Sequence, residues 1–73
     1  MQNSLHRYLK QPGQSMAALA ARVGVFPSTI TRPLKGERQP SIELAKEIER
    51  KTNGEITARD FIAACLEAQE EAA

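Results

Sequence analysis

Residues 15–36 read SMAALAARVGVFPSTITRPLKG, and their punctuation by serine, glycine and proline decides how the chain folds. Ser15 is placed to cap a helix in which Met16, Leu19, Ala20 and Val23 recur at i, i+3, i+4 and i+7, so that one face is apolar. Gly24 supplies the left-handed backbone that stops it. Pro27 suits the first turn of a second helix, where its missing N–H has no intrahelical partner, and Ile30 and Leu34 lie four apart on the inner side. The second proline, Pro33, cannot donate to the Thr29 carbonyl and biases Arg32 away from helical geometry. The spacing therefore predicts a helix that stops or kinks near Arg32. Gly36 and Pro40 close the segment.

The flanking sequence carries three more helical signals and no strand alternation. Upstream, Asn3 or Ser4 can cap a helix carrying Leu5, Tyr8 and Leu9, which Pro12-Gly13 ends. Downstream, Ser41 caps a fourth helix with Ile42, Ala45 and Ile48 facing inward, running to Asn53-Gly54. Thr57 and Asp60 stand at capping-box spacing, with Asp in place of the usual Glu, ahead of Phe61, Ile62, Cys65 and Leu66 in a last helix over residues 57–71. The tail AQEEAA, residues 68–73, is expected to fray. The expected architecture is all-α, a compact five-helix bundle forming one domain over residues 1–73.

Size and charge narrow what such a bundle can do. A chain of 73 residues buries only about 60% of its unfolded surface, which leaves little area for an enclosed pocket. Its composition, 41% hydrophobic and 26% charged, is that of a folding domain rather than a disordered one. One cysteine makes no internal disulfide, and neither a membrane-length apolar run nor a signal-peptide core is present, so a cytoplasmic protein is expected. The net charge of +1 hides an asymmetry: through Pro40 six bases face one acid, a net of +5, and from Ser41 onward four bases face eight acids, a net of −4. The basic half contains the quoted stretch, which suggests a polyanion met from one side, against the plainer reading of a solvated surface.

Two short helices joined by a glycine-containing turn, with the small Ala20 where they would touch, form a helix-turn-helix pattern. Residues 15–36 resemble the Cro and repressor-type helix-turn-helix family of phage and bacterial regulators. Ala20, Gly24, Val25, Ile30, Leu34 and Gly36 match that family's small, turn, core and capping positions, and ERQPSIELAKEIERKTNGEIT looks like its next helix and exit. The resemblance covers residues 5–57 and implies a lambda-repressor-like bundle that binds double-stranded DNA as a transcriptional regulator. The implied role is a repressor that occupies an operator as a homodimer, associated with the nucleoid.

In that family the second helix of the motif enters the major groove with its N-terminal residues on base edges, which makes Ser28 and Arg32, opposite Ile30, the expected readers. Arg32 can pair in bidentate fashion with guanine O6 and N7. Pro27 stands where the family frequently has glutamine and leaves only apolar contact with a thymine methyl; Thr31 completes the expected base contacts. Phosphate contacts are expected from Gln14 and Ser15 at the start of the first motif helix, from Thr29, and from Lys35, Arg38 and Gln39 in the exit loop. Thr29 and Thr31 could instead merely solvate the helix, and Arg38 could pair with Glu37 or Glu43. Two further departures from the family are Phe26, in place of a polar cap, and Met16, in place of a glutamine that touches phosphate. Phe26 can pack as a hydrophobic staple or touch the DNA sugar edge.

Catalytic chemistry finds no support in the sequence. Cys65, four residues after Phe61 on an apolar face, reads as packing, and His6 has no partner for a zinc set. No metal, cofactor or small-molecule ligand is expected. Phe61, Ile62, Cys65 and Leu66 form a stripe wide enough for a dimer interface, or fold back on the first and fourth helices. The alternative to a repressor is a protein-interaction module, or an antitoxin whose acidic C-terminal helix binds a partner protein such as a toxin.

Overall fold

The computed structural model describes residues 3–72, and in them five helices follow one another: α1 (Ser4–Leu9), α2 (Met16–Val23), α3 (Pro27–Leu34), α4 (Ile42–Lys51) and α5 (Ala58–Ala72). The serines and Asn3 do the capping that local chemistry assigns them. Asn3 Oδ1 accepts the Leu5 N–H at 2.8 Å, Ser15 Oγ that of Ala18 at 3.1 Å, and Ser41 Oγ that of Leu44 at 3.2 Å. Each satisfies a donor that the first helical turn would otherwise leave unpaired. Gly24 closes α2 at φ 91°, its N–H donating to the Ala20 carbonyl at 2.8 Å. No side-chain oxygen serves the start of α3, where Phe26 is the N-cap.

Two expectations about these helices are overturned. First, of the stop or kink expected near Arg32 the stop is excluded: α3 runs through Pro33 to Leu34. The proline sits one residue from the end, so only the bond to the Thr29 carbonyl is missing, while Lys35 N–H still reaches the Thr31 carbonyl at 2.9 Å. The proline ring is fully buried and fills part of the core, which compensates for the lost bond. Second, Ile42 does not face inward: it is 63% exposed. An i, i+3, i+6 series drifts by about 60° per step around a helix, so the inner face of α4 is Leu44, Ala45, Ile48 and, just beyond, Thr52. α5 is continuous to Ala72, and Gln69 ties it to the α3–α4 loop by donating to the Arg38 carbonyl at 3.2 Å. Ala73 lies outside the described residues.

α5 packs on α1, α3 and α4, and α2 packs on α3 and α4, enclosing a core centred on Tyr8, Leu19, Ile30, Ile48 and Phe61. Phe61 and Cys65 are fully buried within this core. Their assignment to a dimer surface is therefore corrected: they fold back on the chain's own helices, and burial pushes the Cys65 thiol up to about 11. Ile62 is half-buried and Leu66 is 48% exposed. The loop before α5 is ordered by Thr52, whose buried hydroxyl donates to the Ile48 carbonyl at 2.7 Å and accepts the Ile56 N–H at 3.2 Å.

The starts of α1 and α5 clasp each other. Thr57 Oγ accepts the Asp60 N–H at 3.1 Å, as a capping box requires, but the Asp60 carboxylate turns away and accepts the Ser4 N–H at 2.9 Å. Thr57 N–H donates in turn to Ser4 Oγ at 3.2 Å, and Asn3 Nδ2 donates to the Asp60 carbonyl at 2.8 Å. The Ser4 hydroxyl and then the Ser4 N–H hold the Asp60 carboxyl below its ordinary value of 3.8. A depressed carboxyl contributes stability that is complete above its unfolded value and is lost as pH falls through the folded one. Asp60→Asn is therefore expected to be less stable than wild type near neutrality, with a difference that shrinks as acid protonates the wild-type carboxyl. Urea unfolding at about pH 7 and about pH 3 checks it; a difference of equal size at both would show that charge plays no part.

Candidate nucleic-acid interface

The interface is built by the packing of α2 on α3. Ala20 on α2 and Ile30 on α3 are fully buried, and a side chain as small as alanine lets two helices approach closely at a tight turn. Val25 N–H joins Gly24 N–H on the Ala20 carbonyl, at 3.0 Å, so the turn is fixed by two bonds to one oxygen. With Ile30 and Pro33 turned into the core, helical phase sends Ser28 and Arg32, four residues apart, to the opposite side. Both are exposed, as are Pro27 and Thr29, while Thr31 is half-buried on a flank.

The expected phosphate residues surround this helix. Ser15 is exposed at the start of α2 and Gln14 beside it is half-buried; Lys35 caps the C-terminus of α3, and Arg38 and Gln39 lie exposed in the loop that follows. Among the described residues the only salt bridge joins Arg50 to Glu47 at 2.7 Å. Arg32, Lys35 and Arg38 thus keep their charges free, and Arg38 pairs with neither Glu37 nor Glu43. Gln39 is less free, because its Oε1 lies 3.4 Å from Gln69 Nε2. Arg22, in the last turn of α2, is steered toward α1 by donating to the Tyr8 hydroxyl at 3.1 Å.

Phe26 was open to two readings, and the structure removes one. At 80% exposure it is not packed as a staple, and it is the most exposed large hydrophobic side chain among the described residues. Its signal in the sequence was the absence of a polar cap, which says that something other than capping places a residue there.

An unpaired guanidinium on the outer face of a short helix, flanked by hydroxyls and by two further free cations at its exit, is chemically suited to a groove lined with hydrogen-bond acceptors and bordered by phosphate. A family model described as Helix-turn-helix matches residues 5–58 of the chain. No curated protein and no solved structure matches it.

Proposed function

The chain belongs to the Cro and repressor-type helix-turn-helix family, and from that membership we propose that it represses transcription by occupying an operator in double-stranded DNA. The supporting observation is Arg32, unpaired and exposed on the face of α3 opposite the buried Ile30. In this reading α3 lies in the major groove, Arg32 pairs with a guanine, and Pro27, Ser28 and Thr31 meet neighbouring base edges. Gln14, Ser15, Thr29, Lys35, Arg38 and Gln39 hold the backbone on either side. A salt titration of duplex binding tests it: several phosphate contacts give a log-log slope of roughly −0.9 per contact. No binding at low salt would contradict the reading.

The operator is occupied by a homodimer. With Phe61 and Cys65 in the core, what supports this is the outer face of α5, where Ile62 and Leu66 lie four apart and Leu66 is half-exposed. Leu66→Glu is expected to leave the fold intact and to convert a dimer into a monomer in sedimentation at micromolar concentration. A wild-type monomer that binds a single half-site tightly would refute dimerisation.

A second reading is favoured by a separate observation. α1 and the acidic end of α5 border an open groove of about 290 Å³, floored by Leu9, Met16, Leu34 and Ala68 and rimmed by His6, Glu67 and Glu71. Its apolar floor and acidic edge suit a partner protein presenting a basic amphipathic segment, such as a toxin if the chain is an antitoxin. No helix among the described residues is long and apolar enough to cross a membrane.

A further inference from the structure

We propose that Phe26, with Pro27 beside it, recognises a thymine methyl group at the edge of the half-site and so determines part of the specificity. The inference rests on the proposed DNA-binding reading and adds a base to it. Three observations carry it. Phe26 is 80% exposed although it is a large apolar side chain. It occupies the N-cap of α3 in extended geometry, φ −71° and ψ 147°, and makes no capping bond, so no local task explains it. The next residue, Pro27, is exposed and lacks an N–H, which extends the apolar surface by one residue and removes a donor.

The N-terminal end of a recognition helix is the part that meets base edges. On the major-groove edges of the four base pairs the one apolar group is the C5-methyl of thymine; every other distinguishing feature is a hydrogen-bond donor or acceptor. A phenyl ring and a pyrrolidine ring cannot satisfy those donors and acceptors and would desolvate them without recompense. Covering a methyl instead removes apolar surface from water on both sides. Arg32, further along the same helix, reads guanine in the same reading, so each half-site carries a thymine and a guanine read by different chemistry.

Deoxyuridine differs from thymidine by that methyl alone, which makes the test direct. A duplex selected by the wild-type protein from a random-sequence library is resynthesised with deoxyuridine at each thymine in turn. Wild type is expected to lose about fourfold in affinity at one thymine per half-site, the worth of one buried methyl-sized group. Phe26→Ser, at an exposed position where serine can also cap the helix, is expected to lose most of the preference for the thymine over the deoxyuridine duplex. Equal binding of both duplexes by wild type at every position overturns the proposal, as does a Phe26→Ser variant that keeps the full preference. A Phe26→Ser variant that loses affinity while wild type ignores the methyl assigns Phe26 to the sugar edge and also overturns it. Failure of wild type to bind DNA at all overturns the DNA-binding reading itself, a distinct result.

Discussion

Phe61→Ala is expected to lower the unfolding free energy by about 3–5 kcal/mol, read from urea denaturation, out of a total that for domains is about 5–15 kcal/mol. Phe61 is fully buried where α5 meets the rest of the bundle, and removing its ring leaves a cavity that close-packed neighbours fill only in part. Leu66→Ala, on the exposed side of the same helix, is expected to cost less than about 1 kcal/mol. If the two variants were equally mild, the core would not be organised around α5 as described.

Arg32→Ala is expected to weaken binding to a selected duplex by about 1–3 kcal/mol, roughly 5- to 150-fold, while leaving binding to random DNA nearly unchanged. Lys35→Ala should weaken both by a similar, smaller factor and reduce the salt slope by about one contact's share. The contrast follows from placement: Arg32 sits four residues from Ser28 on the outer face of α3, and Lys35 sits at its C-terminal cap. Parallel competition measurements with both duplexes check it. Equal losses on selected and random DNA for Arg32→Ala would remove it from the base-reading set and leave it a phosphate contact.

What was legible in the sequence was mainly what local chemistry controls. Asn3, Ser15, Ser41 and Gly24 cap or end their helices because a side-chain oxygen or a missing Cβ acts within a few residues of itself. The exposure of Ser28 and Arg32 was legible too, since helical phase alone sets it once Ile30 is inside. Apart from Ile42, which helical phase alone turns outward, the expectations that did not hold depended on contacts distant in the chain. Pro33 reads locally as a stop, yet its ring is wanted by the core and the helix end is near enough that one lost bond is tolerated. Asp60 reads as a capping-box partner of Thr57, but Ser4, 56 residues away, takes its carboxylate. The stripe on α5 is wider than one neighbour covers, and only the placement of α1, α3 and α4 decides that Phe61 and Cys65 go in while Leu66 stays out.

The most direct test of the central claim, that the outer face of α3 and its flanks contact DNA, is a titration of isotope-labelled protein with a selected duplex, followed through backbone amide resonances. The expected perturbations concentrate at Ser15, along Ser28–Arg32, and at Lys35, Arg38 and Gln39, with the acidic end of α5 silent. Perturbations confined to Glu67, Gln69 and Glu71, or none anywhere at low salt, would contradict it.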